Sequence, residues 1–152
     1  IYDHFAVVYE YPNGVHILSM CRQIQGTRGR IGESFTGAAG TTDACTRITG
    51  ARAWTFEKPA GMVTGYVQEH TDLVDSLRAG RPLNELKQVA ESTLAAILGR
   101  EAAYTGQEIT WDDALKAKQD ILPSPIAFGP LDVPPVPMPG RTKLERTWSE
   151  GW

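Results

Sequence analysis

Apolar and polar residues alternate from His4 onward, and the alternation is rich in Val, Phe and Tyr over residues 4–11 and again over 15–22. A period of two with β-branched and aromatic residues predicts two strands. Between them stands Tyr11-Pro12-Asn13-Gly14. Proline suits the second position of a type I turn, and Gly14 supplies the left-handed residue of a G1 bulge. That turn pairs Tyr11 with Val15 and fixes the register. One face then carries Phe5, Val7, Tyr9, Tyr11, Val15, Ile17, Ser19 and Cys21, nearly all apolar, and is the expected core face. The other mixes Ala6, Val8, Leu18 and Met20 with His4, Glu10, His16 and Arg22. It is too apolar to stand wholly in water, so a covering partner is expected.

Further strands are predicted at 31–36, 44–49 and 52–56, separated by Gly37-Ala38-Ala39-Gly40 and by Gly50-Ala51. From Gly65 the period becomes helical. Val67, His70, Leu73, Val74 and Leu77 recur at three- and four-residue steps, and Gly80 then Pro82 end the run. Asn84 is placed to cap a second helix with the stripe Leu86, Val89, Ala90, Thr93, Leu94, Ile97 and 101–104, closed by Gly106. Thr110-Trp111-Asp112-Asp113 resembles a capping box that opens a short helix through about Lys118. Sheet first and helices after is the pattern of an α+β domain: a mostly antiparallel open sheet with helices on one face. The expected domain covers residues 1–122. Residues 123–152 form a proline-rich C-terminal arm, with seven of the ten prolines between Pro123 and Pro139. That run favours extended polyproline geometry, and its PxxP pattern suits an SH3-type partner. The favoured reading is an arm laid along its own protein or a sister subunit.

At 152 residues with 41% hydrophobic, 22% charged and 9% aromatic side chains, the chain has an ordinary globular balance. A net charge of −3 argues against a nucleic-acid surface built on bulk positive charge. No apolar run is long enough to cross a membrane, and no leader pattern opens the sequence. The chain starts at Ile1 and leads straight into strand-like sequence, so it is expected to be a piece of a longer protein. Localisation is left open between the cytoplasm and export, because any leader would precede Ile1. Cys21 and Cys45 sit in strand-like contexts and are expected as small buried thiols. Two strands apart in a meander, their backbones would lie roughly 10 Å from one another, too far for a disulfide.

No GxGxxG unit between strand and helix, GxSxG elbow, Walker loop, HExxH helix or paired-cysteine metal spacing occurs. The three histidines do not cluster, and His70, on an apolar stripe, is expected in a core or interface. Asp112 and Asp113 lie in a first helical turn, where the dipole favours them without any chemistry. One segment stands out. Arg22, Gln23, Gln25, Thr27, Arg28 and Arg30 crowd a loop between two strands, with Gly26 and Gly29 among them. Arginine forks and amides in such a loop suit hydroxyls or a carboxylate. The plain alternative is a solvated connector.

The stretch 66–111 contains Tyr66-Val67-Gln68-Glu69-His70, Leu73-Val74-Asp75-Ser76-Leu77-Arg78-Ala79-Gly80-Arg81-Pro82-Leu83-Asn84-Glu85, Ala90-Glu91-Ser92-Thr93-Leu94 through Gly99-Arg100-Glu101-Ala102-Ala103-Tyr104-Thr105-Gly106, and Thr110-Trp111-Asp112. In that order they resemble the C-terminal part of the glucose–fructose oxidoreductase / inositol dehydrogenase (Gfo/Idh/MocA) family. The hairpin, the Phe35-Thr36-Gly37-Ala38-Ala39-Gly40 turn and the Pro-Val-Pro-Met-Pro-Gly tail fit the same family. The resemblance implies a dihydrodipicolinate-reductase-like C-terminal domain, paired in the whole enzyme with an N-terminal Rossmann domain that holds NAD or NADP and is absent here. It further implies a small sugar or polyol substrate and a homo-oligomer formed through the sheet, while the charge balance and the lack of a long apolar run argue against a nucleic-acid or membrane partner. The family's catalytic and cofactor residues would lie upstream of Ile1, and Glu57-Lys58-Pro59, which spells a family tripeptide, follows the sheet and is read as coincidence. No catalytic, cofactor or metal residue is therefore assigned, and the fragment alone is expected to be inactive. The substrate-facing candidates are Arg22, Gln23, Thr27 and Arg28. A stand-alone, non-catalytic module that binds a glycan or a protein is the alternative.

Overall fold

A computed structural model describes residues 2–150 and shows an α+β chain that divides into two compact units, residues 2–25 with 85–150, and Gly26–Asn84. In the first unit, β1 (His4–Glu10) and β2 (His16–Arg22) form the expected antiparallel hairpin, with Tyr9 opposite Ile17 and His4 opposite Arg22. The turn closes as its sequence requires. The Gly14 amide donates to the Tyr11 carbonyl at 2.9 Å, the Tyr11 amide donates to Val15 at 2.9 Å, and Gly14 takes φ 77°.

α2 (Leu86–Thr105) lies against β1, so Phe5, Val7 and Tyr9 are half-buried while their neighbours are exposed. The Tyr9 hydroxyl donates to the Ala95 carbonyl at 3.1 Å. Gly99 makes this close approach possible, because a methyl group there would overlap the Tyr9 hydroxyl. Gly106, at φ 69°, ends the helix in the left-handed conformation, its amide donating to Ala102. The N-terminus departs from expectation: Glu85, not Asn84, occupies the cap position, and the Glu85 side chain makes no capping bond. α3 (Trp111–Lys116) opens on the expected capping box, with Thr110 and Asp113 bonded reciprocally, and ends two residues before Lys118. The unit closes with β7 (Gln119–Asp120) paired in parallel with β8 (Arg146–Thr147).

In the second unit, β3 (Phe35–Gly37), β4 (Gly40–Thr42), β5 (Arg47–Gly50) and β6 (Trp54–Thr55) make an antiparallel meander, followed by α1 (Gly65–Arg78). The hairpin and this meander are separate sheets rather than one continuous sheet. Gly37-Ala38-Ala39-Gly40, expected only to separate strands, is itself a two-residue hairpin turn with Gly37 opposite Gly40, and the strand it leads into was not anticipated. Gly40 in turn faces Gly50, where a Cβ on either residue would strike the opposing backbone.

The strand predicted from residue 44 begins only at Arg47, because Asp43 draws the preceding residues into a turn. Its Oδ1 accepts from the amides of Cys45, Thr46 and Arg47 at 3.1, 2.7 and 2.8 Å, and its Oδ2 accepts from the Thr46 hydroxyl at 2.7 Å. The Thr46 hydroxyl and these amides hold the Asp43 carboxyl far below the ordinary carboxylate range. A depressed folded-state pKa contributes order that is present above the unfolded value, near 3.9, and is lost as pH falls through the folded one. The turn is therefore expected to stay ordered down to about pH 4 and to loosen only in stronger acid. In Asp43→Ala, amide exchange at Cys45, Thr46 and Arg47 should be fast even at neutral pH. Slow exchange there in the variant would show that the strands, not the carboxylate, hold the turn.

Both cysteines are free and exposed, which corrects the expectation of buried thiols. Cys45 lies in the Asp43 turn rather than a strand, and Cys21 lies on β2, which is exposed along its length while α2 packs on β1. His70 is likewise exposed, with Nδ1 2.7 Å from the Tyr66 carbonyl of its own helix; it is not a core residue. No buried residue occurs on α1.

Candidate functional site

Arg22 closes β2 directly across from His4, and the Gln23 amide donates to the Asp3 carbonyl at 2.7 Å, carrying the ladder one residue beyond the strands. The loop candidates therefore start from the open end of the hairpin, the end away from the Pro12–Gly14 turn. The same end holds His4, whose Nδ1 lies 2.7 Å from the Asp3 carboxylate. Arg22, Gln23, His4 and the Asp3 carboxylate bring donors and acceptors to one exposed edge, the inventory that recognition of hydroxyl groups uses. The Asp3–His4 pair was not anticipated. Its signal was the position of His4 opposite Arg22, which the register already implied.

Arg22 and Gln23 belong to the first unit, whereas Thr27 and Arg28 belong to the second, beyond the left-handed Gly26 at φ 76°. All four are exposed. Two open clefts occur elsewhere. One, of about 490 Å³, runs along α1 past Tyr66, His70, Val74 and Arg78; the other, of about 420 Å³, lies beside β7 and β8. None of the four loop candidates lines either. Among the described residues no group of three His, Cys, Asp or Glu side chains is placed to hold a metal ion, and no helix is long and apolar enough to cross a membrane.

The first unit's buried charge lies elsewhere. Glu101, on the stripe of α2, is 1% exposed and receives a fork from Arg146, Nη1 to Oε2 at 2.6 Å and Nη2 to Oε1 at 3.1 Å. Arg100 adds Nε and Nη2 to Oε1 at 3.0 and 2.8 Å. Burial alone would raise the Glu101 pKa, but the Arg146 and Arg100 guanidiniums outweigh it and hold the carboxyl below its usual range. Both Arg146 and Glu101 are spent on one another, so this cluster anchors structure. A glutamate inside an apolar helical stripe was the visible signal for one partner. Arg146, 45 residues further on and beyond the prolines, carried none.

Around it sit three rings: Tyr104 meets Tyr2 edge-on at 5.0 Å and Phe5 at 6.0 Å, and Tyr2 lies 5.8 Å from Phe5. The proline-rich tail runs against this cluster. The Tyr2 hydroxyl donates to the Pro137 carbonyl at 2.7 Å, the Gly140 amide donates to Thr105 at 2.7 Å, and Pro134 and Pro137 are buried.

On the hairpin's opposite face, Val8, Leu18 and Met20 are 56%, 60% and 70% exposed. No protein-family model, curated protein or solved structure matches the chain.

Proposed function

We propose that this chain is the C-terminal substrate-binding and oligomerisation domain of an NAD(P)-dependent oxidoreductase that acts on a sugar or cyclitol, with a dihydrodipicolinate-reductase-like fold. The observation that carries the reading is the hairpin's open face. Val8, Leu18 and Met20 form an apolar surface on β1 and β2 opposite the side on which α2 packs, the face such a domain would give to a sister subunit or to its cofactor domain. The ordered resemblance over 66–111 and the donors at the hairpin's open end support the same reading.

In the whole enzyme a hydride would pass between a secondary alcohol carbon and nicotinamide, and a base would take the hydroxyl proton. This chain's contribution is to bind and orient the polyol. Arg22 and Gln23 at the hairpin's open end would supply donors to its hydroxyls, and Thr27 and Arg28, in the loop that follows, would supply others. A hydrogen bond from a charged group contributes about 1.5–3 kcal/mol. Arg22→Ala or Arg28→Ala in the intact enzyme should therefore lower kcat/KM roughly ten- to a hundred-fold. Unchanged kcat/KM for both, with the fold intact, would return the loop to a solvated connector. The chain by itself should neither reduce NAD in the presence of polyols nor quench NADH fluorescence at micromolar concentrations, and doing either would overturn the domain assignment.

The open face gives a separate expectation. Light scattering of the isolated chain should report a dimer or larger assembly rather than 16.6 kDa, and Met20→Glu should dissociate it without loss of helical signal. A 16.6 kDa monomer at high concentration would remove the sheet face as an interface.

A further inference from the structure

The tail is fastened to the first unit by the Tyr2 hydroxyl on Pro137, the Gly140 amide on Thr105, the Gln119 side-chain amide on Leu144, the β7–β8 pairing, and Arg146 forked onto Glu101. Pro134 and Pro137, the pair that spells PxxP, are buried there, while Pro135 and Val136 between them are exposed. Aromatic surfaces with a hydroxyl aimed at a proline-strand carbonyl are the common means of gripping polyproline, whose backbone is already extended and loses little entropy on docking.

The link into this tail is built differently. Among the described residues, 121–133 make no hydrogen bond, and Leu122, Ile126, Phe128, Leu131 and Val133 are exposed, Phe128 fully. Thirteen extended residues span up to about 40 Å, enough to reach a neighbouring copy.

We propose that the tail is an exchangeable strap. Tyr2, Phe5, Tyr104 and Glu101 form a docking groove for a proline-rich strand, and in a dimer each copy's groove takes the other copy's tail. The occupant is a second copy because the same bonds form unchanged in exchange, which makes the swap inexpensive. The apolar side chains of the link point to the same partner: in a single chain they meet water, whereas two links crossing between copies cover one another. A tail on its own chain has an effective concentration in the millimolar range, so with the sheet face closed off by Met20→Glu the closed monomer prevails below that range and exchange follows refolding at higher concentration.

The test uses two full-length chains, Glu101→Arg and Arg146→Glu, both carrying Met20→Glu so that the sheet face does not contribute. Each alone sets like charges at the groove, within one chain and between identical chains. Opposite charges meet only when the tail of one variant enters the groove of the other. Denatured and refolded together at equal concentration, they should give a heterodimer of about twice 16.6 kDa by sedimentation, while each alone gives none. Where a single variant fails to fold by itself, recovery of helical signal only on co-refolding carries the same meaning. Co-refolding that yields just the two separate species, with no heterodimer, overturns the proposal and leaves the tail a fixed part of its own chain.

Discussion

Glu101→Gln should cost the first unit about 3–5 kcal/mol, a large part of the stability of an ordinary domain. The amide keeps the shape and one acceptor but removes the charge, so Arg146, whose side chain is 1% exposed, loses the counter-charge of its fork. A guanidinium that deep without a counter-charge carries a large uncompensated desolvation penalty. Arg100, one-third exposed, turns to water without such a penalty. The paired replacement Glu101→Leu with Arg146→Met should return most of the loss, because buried ion pairs are often worth no more than a well-packed apolar pair. Urea unfolding followed by circular dichroism, read as a double-mutant cycle, separates the two terms. The same pair predicts a pH response. With the folded pKa of Glu101 depressed, its stabilisation is present above the ordinary glutamate value near 4.3 and is lost as pH falls through the lower folded one. A single-variant cost below about 1 kcal/mol would mean that the tail is held by its prolines alone.

Tyr104→Ala should cost a similar amount, about 3–5 kcal/mol, through a different cause. The ring is 2% exposed, the one fully buried large apolar side chain among the described residues, and it joins α2 to Tyr2 and Phe5. Its removal forfeits both ring contacts and leaves a cavity where helix, hairpin and tail meet. Tyr104→Phe keeps the ring geometry and should retain most of the stability. The alanine variant should also free the tail, seen as faster amide exchange at Gly140. If Gly140 exchanges no faster in Tyr104→Ala, the aromatic cluster does not support the tail.

The features legible in the sequence are those encoded within a few residues. The turn at Pro12-Asn13-Gly14 fixed one hairpin register, and alternation then assigned every face residue. Gly80 and Gly106 marked helix ends because only glycine takes a positive φ there without cost. Thr110 and Asp113 closed a box over three residues. The misread features depend on competition or distance. Asp43 draws three backbone amides away from a strand that its neighbours would otherwise extend, and a turn with two alanines at its centre lacks the usual central turn residues. The cysteines and His70 were placed inside by their neighbours' character, whereas burial here concentrates in the C-terminal half of α2 and the tail. The point where the loop after Arg22 leaves the hairpin was legible from the register. The anchor of the tail was not, since nothing local ties Arg146 to a glutamate 45 residues earlier.

The claim that this chain is the substrate domain of a dinucleotide-dependent oxidoreductase is tested most directly by the coding sequence that precedes Ile1. The account predicts a strand, a Gly-x-Gly-x-x-Gly turn and a helix within a βαβ unit, the means by which a helix N-terminus holds a dinucleotide pyrophosphate. A stop codon immediately upstream, or an unrelated domain with no such unit, would contradict it.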